Sequence, residues 1–262
     1  MEPDLLALLN ADLAALDITI PPGADAGLLD YLDRMLLANE VMNLTAITNK
    51  TEAVHKHLVD SLSVLLLTSV QAQLGQSPSW IDVGSGAGLP GMALSLAVPS
   101  ATLHLIESTG KKAHFLNTVS AELGLLKRVK VYCERAEVLA QTSSSALRMV
   151  APVPRGTEVR LRNTADGVFF RGVSKLASLI ELGAPLLKVN GILLAYKGPK
   201  AGDELLEAAK AMKELKMELV ERKDFVLPGG QEARILLCLK KLGETPKRFP
   251  RLTGLAQKEP LI

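Results

Sequence analysis

The stretch that decides the fold is Trp80–Leu94, WIDVGSGAGLPGMAL. Trp80–Val83 reads as a short apolar strand, and Gly84, Gly86 and Gly88 allow a tight turn with close backbone approach. From Gly91 an apolar helical run continues until Pro99, and Pro90 suits the first helical position, where a missing amide hydrogen costs nothing. Strand, glycine loop and helix in that order offer a helix amino terminus to a ligand. Two patterns overlap in the loop. Gly86-x-Gly88-x-x-Gly91 suits a dinucleotide phosphate, whereas Asp82-x-Gly84-x-Gly86-x-Gly88 places a carboxylate where that phosphate would lie.

Outward from this loop the chain divides in two. Residues 1–70 place leucines at helical spacing in DLLALLNADLAAL and AGLLDYLDRMLLANEVMNL, separated by Pro21-Pro22-Gly23. A third helix, TEAVHKHLVDSLSVLLL, has Thr51 or Asn49 available as its cap. From Trp80 onward short apolar strands (WIDV, TLHLIE, VKVYC, GVFF, GILLAY) alternate with amphipathic runs, which predicts a parallel sheet with helices on both faces. One more helix, AGDELLEAAKAMKEL, precedes MELVERKDFVL and RILLCLK. The short PGGQEA link lets these last two strands pair antiparallel. Residues 141–166 are too long for a tight connection and mix serines, prolines and four arginines, the profile of a functional loop. The expected organisation is a helical extension (1–70), an α/β domain (71–242) and a basic extended tail (243–262).

Composition narrows the classes. The chain has 262 residues, is 48% hydrophobic and contains no apolar run of the ~18–20 residues that a membrane span needs. Its acidic start lacks the pattern of a secretory signal, and Cys133 and Cys238 sit in strand-like apolar runs, so buried thiols and a cytoplasmic protein are expected. Neither the two cysteines nor the four histidines show metal-ligand spacing, so no metal is expected. The net charge of +2 hides an asymmetry: residues 1–60 carry −7 and the remainder +9. A basic bulk is a weak signal for a polyanionic partner.

Electrostatics chooses between the two glycine patterns. At an effective dielectric near 20, a carboxylate about 4 Å from a phosphate is repelled by ~4 kcal/mol. The same carboxylate attracts an ammonium or sulfonium group. S-adenosylmethionine carries both cations and no phosphate. Its ribose diol calls for an acid at the end of the second strand, and Glu107 closes TLHLIE at close to the ~20-residue spacing of ribose-binding acids. Asp82 as a structural cap and Glu107 as a solvated helix-start residue remain the plain alternatives. An NAD-dependent oxidoreductase, a small-molecule methyltransferase and a non-catalytic RNA-binding protein with a vestigial pocket remain the rival functions.

Five motifs, NLTAIT, HKHLVDSL, DVGSGAGLPGMAL, ESTGKKAHFL and ERAEVL, occur in order from Asn43 onward, and TPKRFPR follows in the basic tail. Together they resemble the ribosomal RNA small subunit methyltransferase G family, also called glucose-inhibited division protein B. The resemblance implies a class I (Rossmann-like) methyltransferase fold with a seven-stranded, mostly parallel sheet and an antiparallel last strand. It further implies methylation of ring nitrogen 7 of a guanine in the 530 loop of 16S rRNA, with S-adenosylmethionine as donor. Carried onto this chain, the family's loop contacts to the cofactor fall on Gly84 and Leu89, beside Asp82, Gly86 and Gly88, which the charge and glycine pattern of the loop already mark as expected contacts. Glu107, Ser108 and Thr109 follow the second strand, Ala136 and Glu137 the third, and Arg171 closes the fourth. The family usually has Asp at position 107 and Ala at position 172, here Gly172, and its link over 141–165 is usually shorter.

Nitrogen 7 of guanine has an in-plane lone pair and no proton to lose, so positioning supplies most of the catalysis. The chain accordingly lacks a Pro-Cys nucleophile and an Asn/Asp-Pro-Pro-aromatic motif. Arg171 is the expected catalytic residue at the reaction face, with a structural ion pair as the alternative. His55 and His57 are expected to pack or hydrogen-bond. Lys197, Lys247, Arg248 and Arg251 are the expected RNA contacts, the last three to phosphates. The expected partner is 16S rRNA or the small ribosomal subunit, and the expected state is a monomer.

Overall fold

The computed structural model describes residues 4–141, 159–172, 174–230 and 232–262. Seven strands form one sheet: β1 (Ser79–Val83), β2 (Thr102–Ile106), β3 (Val129–Tyr132), β4 (Ala165–Phe170), β5 (Leu187–Lys197), β6 (Met217–Val226) and β7 (Ala233–Lys241). The order is β3-β2-β1-β4-β5-β7-β6, with β7 antiparallel to both neighbours and β1 to β5 parallel. The order reverses between β1 and β4, which opens a crevice at the carboxyl ends of these strands. This is the class I methyltransferase topology. The Pro228-Gly229-Gly230 link joins β6 to β7 as the sequence predicts.

Alternation along the strands sorts side chains between two cores. Trp80, Phe169, Leu194 and Leu236 face one core, while Ile81, Phe170, Leu193 and Leu237 face the other. The first core also takes the helices of the first 70 residues: α1 (Leu5–Ala15), α2 (Ala24–Met42) and α3 (Lys50–Leu66). Leu9, Tyr31, Met35 and Leu58 are wholly buried in it, so the helical extension shares its core with the sheet. Asn49 caps α3 by accepting from the Glu52 amide at 2.9 Å. The middle of α3, Val54–Val59, is a π-helical turn, a feature enriched at functional sites.

On the sheet, α4 (Gly91–Ala97) follows β1, α5 (Gly110–Glu122) follows β2 and α6 (Ala136–Leu139) follows β3. The second face is covered by α7 (Leu176–Gly183), α8 (Ala201–Glu207) and α9 (Ala209–Leu215). The sequence predicts one helix where α8 and α9 stand; the run breaks at Ala208, which is fully buried.

Residues 243–262 differ from the expected extended arm. Phe249 is buried in the second core, α10 (Leu255–Lys258) adds a helical turn, and Arg162 donates to the Thr245 and Phe249 carbonyls at 3.0 and 2.7 Å. The tail is therefore packed against the domain. Of the long link, residues 142–158 lie outside the described residues. Cys238 is buried, with its thiol pushed up to about 11 by desolvation, while Cys133 is half-buried. Among the described residues no single helix is long and apolar enough to cross a membrane, and no cluster of His, Cys, Asp or Glu could hold a metal ion.

Candidate active site

The glycine loop is built from its positive-φ residues, Gly84 (73°), Gly86 (55°) and Gly88 (99°). A Cβ on Gly88 would stand 2.6 Å from Met92, 2.8 Å from Leu116 and 2.8 Å from the Tyr31 hydroxyl, so this glycine is required by packing. Gly86 is different: a Cβ there would meet nothing nearer than the Gly84 carbonyl at 3.8 Å, which leaves that side of the loop open for a ligand. From below, the Tyr31 hydroxyl of α2 donates to the Ala87 carbonyl at 2.5 Å. The helical front of the chain thus holds the loop. Leu89 is buried under it.

Asp82 does not stand in the crevice as the charge argument expects. It is 1% exposed, and its Oδ2 accepts from the Gly91 amide at 2.9 Å. The carboxyl is the cap of α4, and Pro90 precedes the helix instead of opening it. Burial pushes the Asp82 carboxyl up to about 7, against the lowering effect of the Gly91 amide. The carboxylate that faces the loop is Glu107. Its Oε2 accepts from the Gly86 amide at 2.9 Å and its Oε1 from the Thr109 amide at 2.7 Å. The longer arm of Glu, relative to Asp, spans from β2 to the loop. Each oxygen keeps a second lone pair.

Beyond Glu107 lies a cavity of about 580 Å³ lined by Ser108, Thr109, Gly110, Cys133, Glu134 and Arg135. Ala136, the next residue after this lining, is buried at the start of α6. An open glycine, a carboxylate with spare acceptors and an adjoining cavity fit the nucleoside part of S-adenosylmethionine. Glu137 turns away from this cavity: its Oε1 accepts from the Gly254 amide of the tail at 2.8 Å.

Arg171 follows β4 and forms the ion pair that the sequence leaves as an alternative. Its Nε and Nη2 donate to Asp60 Oδ2 at 3.0 and 2.8 Å, and Nη2 also donates to the Lys56 carbonyl of the π turn. Arg234, at the start of β7, donates to Asp60 Oδ1 at 3.2 Å. Sequence reading misses Asp60 and Arg234 because no spacing links positions 60, 171 and 234. The HKHLVDSL motif that contains Asp60 is the one available signal.

The two histidines do hydrogen-bond. His55 Nδ1 pairs with Asp12 Oδ2, and His57 Nε2 shares a 2.8 Å hydrogen bond with Thr45 Oγ1. Desolvation, aided by Arg171, lowers His57 to about 4, so it is neutral at pH 7. The expected RNA contacts divide. Lys197 is buried and donates to Glu204 at 2.7 Å and to the Ser174 carbonyl at 2.9 Å. Arg251 is bound to the buried Glu181 at 2.6 Å. These two cations serve the fold. Arg248 pairs with Glu214 at 2.8 Å but stays exposed, as does Lys247.

The family model for rRNA small subunit methyltransferase G matches residues 25–231. The chain belongs to this family. The ribosomal RNA small subunit methyltransferase G of Caldicellulosiruptor bescii is 40% identical over 89% of this chain and 91% of the relative. Its namesake from Sorangium cellulosum is 38% identical over 91% and 88%. Among solved structures, M. jannaschii TYW2 in complex with AdoMet has a TM-score of 0.45 at 13% identity, covering 67% of this chain and 78% of that one.

Proposed function

We propose that this chain transfers the methyl group of S-adenosylmethionine to ring nitrogen 7 of a guanine in the 530 loop of 16S rRNA. Membership of the methyltransferase G family carries the reading, and the open Gly86 beside Glu107 supports it. In this reading the donor supplies an activated methyl on a sulfonium. Glu107 accepts from the ribose hydroxyls, Ser108, Thr109 and Ala136 border the adenine, and the Gly84–Leu89 backbone borders the methionine end. Asp82 acts indirectly, by fixing the start of α4 under the loop. The lone pair of nitrogen 7 forms the new C–N bond as the S–C bond breaks, with no proton to remove. The residues therefore need to align two reactants and exclude water. Arg171 stands at the reaction face, its charge balanced by Asp60.

Exposed Lys247 and Arg248 contribute salt-dependent phosphate contacts in this reading, whereas Lys197 and Arg251 are each held by a glutamate of the fold. The protein acts as a cytoplasmic monomer on 16S rRNA or the small subunit. The test is methyl transfer from labelled cofactor to small-subunit RNA lacking the modification, with the modified base mapped. Label at nitrogen 7 of one guanine in the 530 loop is the expected result. Label on an adenine, or none on RNA, rejects the reading.

A further inference from the structure

A second cavity, of about 340 Å³, opens at the carboxyl end of the sheet and is lined by Asp60, Arg171, Gly172, Tyr196, Lys197, Gly198 and Arg234. Its size is near the lower end for small-molecule sites (~300–1,000 Å³) and suits a single nucleoside. Gly172 and Gly198 give it bare lips, since a Cβ on either would meet nothing within 4 Å. A flat base extruded from RNA needs such a slot.

The charged groups occur in a fixed order. From the glycine loop on β1 the sheet runs to β4, β5 and then β7, so Arg171 lies nearest the cofactor crevice and Arg234 farthest. Asp60 lies between them, its Oδ2 held by Arg171 and its Oδ1 by Arg234. The Oδ1 contact, at 3.2 Å, is the longest in the cluster, and this oxygen keeps a free lone pair. Nη1 of Arg171 has no partner among the described residues. Read outward from the cofactor, the pocket offers a donor and then an acceptor.

A purine whose nitrogen 7 points at the methyl group presents position 6 next and position 1 after it. Guanine reads acceptor (O6) then donor (N1–H), which complements this order. Adenine reads donor (the 6-amino group) then acceptor (N1), which opposes it at both positions. We propose that this slot seats the acceptor base and that Asp60 is its guanine-reading residue, Oδ1 accepting from N1–H while Arg171 donates to O6. The inference rests on the guanine acceptor proposed above and adds the residue that selects it. It also has a catalytic consequence. Positive charge arriving on the base makes N1–H more acidic, so its hydrogen bond to Asp60 strengthens as the methyl transfers. Stabilisation of that kind raises kcat.

The experiment measures kcat/KM for RNA carrying guanosine, inosine or 2-aminopurine at the target position, with the wild-type protein and Asp60→Asn. Inosine keeps O6 and N1–H and should stay within about fivefold of guanosine. 2-Aminopurine lacks both and should fall roughly tenfold to a hundredfold in the wild type. The Asn amide can donate to the bare N1 of 2-aminopurine, so the variant's guanosine preference should shrink to within about fivefold. A counter-ion with only a structural role would lower all three substrates together, and an unchanged preference in Asp60→Asn overturns the inference. Should that variant fail to fold, equal wild-type rates on guanosine and 2-aminopurine overturn it instead. A wild-type protein that binds the cofactor but methylates no guanine removes the underlying reading first, and this one with it.

Discussion

Asp82→Asn isolates the electrostatic character of the loop. The Asp82 carboxyl is buried and pushed up to about 7, from an ordinary aspartate value near 3.9 in the unfolded chain. Between those two pH values the folded protein holds a proton that the unfolded chain has released. Stability from this site is therefore complete below about pH 4 and is lost as pH rises to about 7, where the cost of ionisation levels off. Three pH units at 1.36 kcal/mol each set that cost at about 4 kcal/mol as an upper bound. Asn has nearly the same shape, keeps an oxygen for the Gly91 amide and never ionises. The variant should match the wild type near pH 4 and become more stable than it by up to about 4 kcal/mol at pH 8. Urea unfolding of both proteins across this range measures the difference, and other titrating groups cancel in it. If Asp82→Asn is less stable than wild type at pH 8 by as much as at pH 5, the carboxylate is ionised and stabilising in the fold, and the reasoning fails.

Glu107→Ala leaves the Gly86 and Thr109 amides without their acceptor. It should cost roughly 2 kcal/mol of stability and abolish calorimetric binding of S-adenosylmethionine at concentrations that saturate the wild type. Gly88→Ala forces a Cβ against Met92, Leu116 and Tyr31 at φ 99° and should lower stability by roughly 2–3 kcal/mol in thermal unfolding. Arg251→Ala strands the buried Glu181 carboxylate, which should cost roughly 3–5 kcal/mol and expose the tail to proteolysis. Lys247→Ala should leave stability unchanged and reduce the salt slope of RNA binding by roughly one unit.

The sheet was legible because its signal is local. Each strand is a short apolar run bounded by loop residues, and alternating pairs such as Trp80/Ile81 and Phe169/Phe170 fill two cores at once. The loop and Glu107 were legible for a related reason: strand, glycines, helix, strand and acid follow one another within 30 residues. What stayed hidden depends on contacts between distant positions. The sequence places Asp82 beside the glycines but cannot show that its side chain points down to the Gly91 amide. Basic residues in the tail look alike on paper. Arg251 finds a buried glutamate and Lys247 does not, and only the path of the chain decides between them. The π turn in α3 was also invisible, because nothing in the residue types of Val54–Val59 distinguishes i→i+5 from i→i+4 bonding.

The charge asymmetry acquires a second meaning from the same contacts. An acidic front and a basic bulk look like a protein prepared for a polyanion, yet part of the complementarity is satisfied inside the molecule. Asp60 of the front holds Arg171 and Arg234 of the bulk. Tyr31 of the front closes on the loop at Ala87. The first 60 residues are thus one wall of the site, supplying the partners that set the direction of its arginines. An arginine pair drawn onto one carboxylate is neutralised in part and held in place. It can then hydrogen-bond a neutral base without attracting every passing phosphate. Basic residues with no such partner among the described residues, Lys247 above all, would under the proposed function supply the long-range attraction for RNA. In the proposed function, recognition of the base and attraction to the backbone are in this way divided between half-buried, paired cations and exposed ones.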